Sequence, residues 1–270
     1  MSWLAILSAL IRRDWGIQRS YRFQLIGYVT GTSADLFLFF FIGNFVDQTG
    51  LTSIPGLEYG YFSFVFVGLV LSRLSRAVLG AFQRSLQQDQ ARGTLEAMLA
   101  SPRSPAALIA SNPLYDLIQT LVTQIIMIIL AVILLDFRVV FDPVATPGAA
   151  LALVTCVIVY ASIGLCLAGI TLVVKQGGSS ITTLLFTSIM FLGAIYYPVE
   201  VLPRPLQIIA RCLPFTWAVE TLRAALITGD LLIGRLVLLI IAAIVAAPVS
   251  IWFFNKSLDR ARREGTLSQY

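Results

Sequence analysis

Long apolar runs decide what this chain can be. A helix of about 20 residues spans the ~30 Å of hydrocarbon in a bilayer, and a run of 18 or more apolar residues marks a candidate. Such runs recur at about 23–45, 59–82, 107–135, 148–174, 181–197 and 231–254. In lipid a spanning segment must satisfy its own backbone donors and acceptors, so the runs are read as helices. The expected fold is an all-α polytopic membrane protein with six transmembrane helices. Charge content agrees: 12% of the residues are Asp, Glu, Lys or Arg, against ~25% in soluble domains.

Composition removes several function classes. There is no histidine, which excludes histidine-based acid–base, proton-relay and metal chemistry within this chain. The three cysteines make no disulfide framework. Cys156 and Cys166 lie about 15 Å apart along one helix, too far to pair, and Cys212 is expected alone in a later loop. The net charge of +5 does not point to nucleic acid, because the basic residues gather beside the spans. No cleavable leader is expected, since the Met1–Leu10 segment lacks a basic start.

Counting Lys and Arg sets the orientation. Four precede the first span, five lie between Arg73 and Arg103, Lys175 adds one, and the tail adds four. With both termini cytoplasmic, these are all inside, and Arg138, Arg204, Arg211, Arg223 and Arg235 are outside. The positive-inside rule selects that topology.

Polar stretches between the spans carry the functional signals. Residues 1–22 read as an interfacial amphipathic helix, with Leu4, Leu7, Ile11 and Trp15 on one face and Arg12 on another, beside Arg13. In the cytoplasmic loop 87–105, Thr94 can cap a short helix whose apolar face is Leu95, Met98 and Leu99. Glu96 sits in its first turn, where a carboxylate suits the helix dipole, and Pro102 and Pro105 end it. Residues 198–229 are rich in proline and predict two short helices. Arg204, Gln207 and Arg211 form the polar face of the first, and Leu206, Ile209 and Leu213 its apolar face. In the second, Glu220 and Arg223 are spaced to pair. Neither has enough apolar residues to cross, so this is read as a hairpin at or dipping into the outer leaflet. Inside the spans, Gly27 and Gly31 have the spacing of close helix approach, as do Gly164 and Ala168. Gln119 and Thr123 offer interhelical hydrogen bonds. Asp35 must face protein, water or a partner group. Arg73 and Arg76 are expected to reach towards the nearer surface or line a vestibule there.

Three stretches then form a set: IRRDWGIQRSYRF before the first span, RGTLEAMLASPRSP after the second, and YYPVEVLPRPLQIIARCLPFTWAVETLRAAL between the fifth and sixth. Together they resemble the ABC transporter type-2 permease family over essentially the whole chain. The resemblance implies the transmembrane permease subunit of an ATP-driven exporter in the cell (inner) membrane. Its partners would be two copies of a nucleotide-binding subunit and a second permease copy, likewise in membrane lipid. ATP and Mg would sit on the partner subunit, with no cofactor or metal bound by this chain and no catalytic residue in it. The absence of GxxxxGK[ST] agrees. By the same resemblance Arg92, Gly93, Thr94, Leu95 and Glu96 contact the ATPase, with Met98 and Leu99 on the coupling helix. The segment from Tyr197 and Pro198 through Glu200, Pro203, Pro214, Glu220 and Arg223 corresponds to extracellular re-entrant helices that close the exit. Thr30, Ser33, Asp35, Thr183 and Thr187 are candidates for a path between two copies. The family carries drugs, lipo-oligosaccharides, polysaccharides and related amphiphiles. Two other readings stand beside this one. An ion-coupled secondary transporter would need mid-membrane carboxylates, for which Asp35 is the sole good candidate. An intramembrane enzyme would need a catalytic cluster, and none is legible.

Overall fold

A computed structural model of the chain describes residues 22–48, 60–91, 114–135, 137, 139–173 and 178–263. The described helices run in the order α1 (Arg22–Gln48), α2 (Tyr61–Ala91), α3 (Leu114–Leu134), α4 (Ala145–Val173), α5 (Gly178–Leu192), α6 (Arg204–Cys212), α7 (Pro214–Arg223) and α8 (Ile233–Arg263). A short 3-10 turn, Val199–Val201, precedes α6, and a π-helical turn, Ala224–Thr228, follows α7. No strand occurs among the described residues. Four helices are long and apolar enough to cross a membrane, within Tyr61–Gln87, Leu117–Leu134, Ala145–Leu172 and Ile233–Ala261. Ser33–Val46 and Ser180–Leu192 are shorter apolar helical segments.

The centre of the bundle is α4 packed between α8 and α2. In lipid there is little hydrophobic gain from pressing one apolar helix on another, so close packing itself must hold them. The sequence supplies the means at Gly164. A Cβ there would stand 2.7 Å from the carbonyl oxygen of Leu79 and 3.2 Å from that of Val78. The backbones of α4 and α2 therefore meet with no side chain between them, and Ala168, one turn on, is fully buried. The predicted small-residue contact is present. Its counterpart on α1 is different: Gly31 is exposed, and a Cβ there would meet nothing within 4 Å. Among the described residues, no neighbour makes a close approach at Gly31.

Helix ends depart from the apolar runs. α2 continues to Ala91 and not just to Phe82, and α8 to Arg263 and not just to Phe254. A helix has no need to stop where the hydrocarbon stops, and nothing in Gln83–Ala91 or Asn255–Arg263 breaks it. The extensions are held by a second apolar cluster of Leu86, Leu165, Ala168, Leu172, Phe254, Leu258 and Ala261. Phe254, Leu258 and Ala261 fall at i, i+4 and i+7, an apolar stripe in a tail that reads simply as basic. α5 begins earlier than Ile181, at Gly178, and ends earlier than Tyr196, at Leu192. The chain turns out of it through Ala194, whose φ is +56°. Cys212 closes α6 and is exposed, not in a loop. Thr123 donates to the backbone oxygen of Gln119 in its own helix at 2.9 Å, so that hydroxyl is bonded within α3.

Polar turn chemistry fixes the start of α4. Asp142 Oδ1 accepts from Val144 N and Ala145 N, both at 2.8 Å. Bonds from Ala145 first and Val144 second hold its carboxyl below the usual carboxylate range. Pro143 at the helix entry costs no hydrogen bond.

Candidate functional site: a polar seam along the second helix

α2 carries a stripe of polar residues, Arg73, Arg76 and Gln83, at i, i+3 and i+10. The two helices beside it supply partners. Arg73 forms an ion pair with Asp35 of α1. The guanidinium of Arg76 lies 3.9 Å over the centroid of the Phe186 ring on α5. Thr182, one turn before Phe186, donates its hydroxyl to Gln83 Oε1 at 2.5 Å. Above the ion pair, Tyr196 stacks on Phe39 of α1 with ring centroids 5.5 Å apart. α1 and α5 are thus joined to α2 by polar and aromatic contacts spread over about 15 Å of its length, from Arg73 to Gln83.

Depth follows from counting. Asp35 is the central residue of the 27-residue α1, and Arg76 is the central residue of the 31-residue α2. At 1.5 Å per residue both lie roughly 20 Å from either helix end. Arg73 meets a carboxylate of the neighbouring helix, and Arg76 stacks on a ring. A buried or half-buried acid of matching depth is a better neighbour for a guanidinium than a long detour to water. The Asp35 side chain remains 53% exposed and that of Arg73 20%. A carboxylate that open, at that depth, implies that its free side does not meet lipid.

The remaining path candidates are placed unevenly. Thr30 is exposed and Ser33 half-buried on α1, and Thr183 and Thr187 are exposed on α5. None of Thr30, Ser33 and Thr183 is without a polar or electrostatic partner. The α5 residues that face α2 are Thr182 and Phe186, one position before the two threonines expected. The sequence signal for the Asp35–Arg73 pair is depth: the two sit about equally far from the facing ends of two consecutive helices. The coupling residues Arg92, Gly93, Thr94, Leu95, Glu96, Met98 and Leu99, and Arg12, Arg13 and Trp15, lie outside the described residues. α2 runs up to the first of them.

The proline-rich segment is tied to the other end of α2. The Arg223 side chain is buried. Its Nε donates to Phe64 O at 2.9 Å, its Nη2 to Ile195 O at 3.0 Å, and its guanidinium lies 3.4 Å over the Phe64 ring. Gly68 makes the room: a Cβ there would stand 2.9 Å from Nη2. Arg223 therefore does not pair with Glu220. Glu220 pairs instead with Arg235 of α8, because the two carbonyls and the ring already fill the guanidinium's surroundings. Tyr197 donates its hydroxyl to Phe191 O. Pro198 is buried and Pro203 exposed, and Pro214 begins α7 where its missing N–H costs nothing. Glu200 lies 3.6 Å from Arg211. Gln207, expected on the polar face, is half-buried and donates to Leu202 O at 2.8 Å and Glu200 O at 3.1 Å. Ile209, expected on the packed face, is exposed beside Ile208, and Leu206, Ala210 and Leu213 turn inward. Phe215 packs edge-on to Tyr160, near the middle of α4, with centroids 6.3 Å apart.

Among the described residues no group of three or more His, Cys, Asp or Glu is placed to hold a metal ion. The chemistry available is recognition by charge, hydrogen bond and ring, with no nucleophile or acid–base pair assembled. Comparison with curated proteins gives no match. The profile of the family described as ABC-2 type transporter matches residues 7–227. With that match over most of its length, and with its long apolar helices, this integral membrane chain belongs to the ABC-2 type transporter family.

Proposed function

We propose that the chain is the permease subunit of an ATP-driven exporter, that two copies assemble with two nucleotide-binding subunits, and that the complex carries an amphiphile outwards. The observation that carries this reading is the course of α2. One unbroken helix begins beside Arg223 of the proline-rich segment, passes the Asp35–Arg73 pair and ends at Ala91, directly before Arg92–Glu96. A push at that end by an ATP-binding partner would reach both the polar seam and the outer segment through a single rod. Family membership supports the partner, and the chain itself has no phosphate-cradling loop.

In this reading α1, α2, α3, α4, α5 and α8 are six spans with both termini cytoplasmic. α6 and α7, of 9 and 10 residues, are about 14 and 15 Å long and too short to cross. They dip from the outer face as a hairpin, which the Phe215 contact near the middle of α4 supports. The open side of Gly31 and Asp35 faces the second copy, and the path runs there.

Reconstitution with an ATP-binding partner subunit tests the proposal. Nucleotide hydrolysis should need both proteins, and vesicles should show ATP-dependent outward movement of a labelled amphiphile. Transport driven by an ion gradient in the absence of ATP would overturn it in favour of a secondary transporter.

A further inference from the structure

Among the described residues the seam holds one cation with no acid paired to it. Asp35 and Arg73 cancel each other. Arg76 is exposed and makes no ion pair with an acid among the described residues. Its described contact is with the Phe186 ring. A ring under the guanidinium takes up one face of the plane and leaves the in-plane N–H donors free. Fifteen residues separate Arg76 from the Tyr61 end of α2, about 22 Å, within a hydrocarbon layer of ~30 Å.

A guanidinium at that depth is costly unless an acceptor reaches it. Its planar fork matches the oxygens of a phosphate or carboxylate, and the stacked ring holds the fork in one orientation beforehand. The surroundings suit the remainder of an amphiphile. On the Asp35 face of α1, Leu38 and Ile42 are exposed at i+3 and i+7. Phe39 and Tyr196 form an aromatic wall next to the ion pair.

We propose that Arg76 recognises the anionic oxygen head group, phosphate or carboxylate, of the amphiphile that this permease carries, with the apolar tail lying along the Leu38–Ile42 face of α1. The proposal rests on the permease reading above and narrows its substrate to acidic amphiphiles. Arg73 and Asp35 set the local field around the site, and Phe186 positions the guanidinium.

Dodecyl phosphate is the probe, with dodecyltrimethylammonium and dodecyl maltoside as cationic and neutral counterparts of the same tail. The purified chain in phosphatidylcholine nanodiscs should retain radiolabelled dodecyl phosphate saturably above empty discs, and at least tenfold more tightly than either counterpart. Arg76→Gln should weaken retention about tenfold or more, and Arg76→Lys, which keeps the charge but not the planar fork, should fall between glutamine and wild type. Arg84→Gln, on a side chain folded back to Ala77 O of its own helix, should leave it unchanged. Thermal stability measured alongside separates lost recognition from lost fold, and the lysine variant keeps the test decisive if glutamine unfolds the chain. Competition by phosphatidylglycerol in the discs would assign the head group to a bilayer lipid, and its absence to another carried amphiphile. Equal retention of the cationic probe, undiminished retention in Arg76→Gln, the same loss in Arg84→Gln, or displacement by inorganic phosphate would each overturn the proposal. The assay holds no ATP and no partner subunit, so its failure is distinct from a failed reconstitution of transport.

Discussion

Gly164→Ala should be among the most damaging single-methyl changes in this chain. Its new Cβ would lie 2.7 Å from Leu79 O, and 3.2 Å from both Val78 O and Phe82 Cδ2, where ordinary contact begins at 3.4 Å. The first two are helix backbone and cannot rotate away, so α4 must stand off from α2 by about 0.7 Å at this point. A gap of that size forfeits roughly a quarter of each contact's well, and a buried residue makes about 50 contacts of ~0.15 kcal/mol. The loss is about 2 kcal/mol for one Leu-sized neighbour, and more if Leu165 and Ala168 lift together. Replacing a helical Gly by Ala returns ~1 kcal/mol through propensity. The net expectation is a destabilisation of about 1–3 kcal/mol, the usual range for overpacking, or a Tm lower by ~3–9 °C for a chain of this size. The assay is thermal unfolding of the detergent-purified protein followed by tryptophan fluorescence. Gly31→Ala is the control, because its Cβ meets nothing within 4 Å in the single chain, and monomeric protein should show an unchanged or higher Tm. A Gly164→Ala protein as stable as wild type would refute the backbone-to-backbone contact. A loss of equal size in both variants would refute the steric explanation.

Arg223→Ala should cost several kcal/mol and loosen the outer segment, because it abandons the Ile195 carbonyl and leaves a cavity. Arg223→Met should cost much less, since an apolar chain of similar volume avoids the desolvation of a charge; protease sensitivity of residues 198–229 reads both. Asp142 should contribute stability with a definite pH sign. Its folded carboxyl titrates below its unfolded value, so the Tm advantage of wild type over Asp142→Ala should be full above about pH 4 and shrink as pH falls through the folded value. Equal curves at neutral pH would remove the cap from the account. Glu96→Gln, in the stretch before which α2 ends, should lower partner-dependent transport without lowering insertion if the residue pairs across the ATPase interface; unchanged transport would reduce it to a local cap.

What was legible in the sequence follows from what lipid punishes. A polar break inside a spanning helix is costly, so the apolar runs marked where the helices pass, and the small pair at Gly164 and Ala168 marked where two of them touch. Lipid says nothing about where a helix stops outside it, which is why α2 and α8 outran their apolar stretches by nine residues each. The seam was half legible. Asp35 stood out as an acid needing a partner and Arg73 as a guanidinium reaching for the nearer surface or a vestibule, but their pairing was not legible, because single-helix reasoning compares a charge with the bilayer edge and not with the neighbouring helix. Glu220 was given to Arg223 for the same reason: i+3 spacing permits a pair, but the choice lay with Phe64, Ile195 and Arg235, all distant in sequence. Gly31 shows the converse. Its spacing permits a close approach, and among the described residues no helix makes one there.

The seam is also where the fold is easiest to open. α2, α4 and α8 share extensive contacts and the apolar cluster around Leu86, Leu165 and Phe254. Separating them would expose mismatched packing that nothing in the membrane could refill. α1 and α5 add polar contacts to apolar ones: the Asp35–Arg73 pair, the Arg76–Phe186 stack and the Thr182–Gln83 bond stand beside the buried Leu36 and Phe40 edge-on to Phe62. A polar contact can be exchanged for another polar contact at little net cost, since what is expensive in a low-dielectric interior is an unpaired group and not a re-paired one. Water or an acidic head group arriving in the seam would supply replacement partners as the native ones separate. The rigid part and the yielding part of the bundle are therefore set by the kind of contact each uses. α2 belongs to both, with its packed face on α4 and its polar stripe on α1 and α5. Movement of α2 against α1 and α5 would trade the ion pair and hydrogen bond of the seam, but it would also have to slide Phe62 past Phe40 and Gly43.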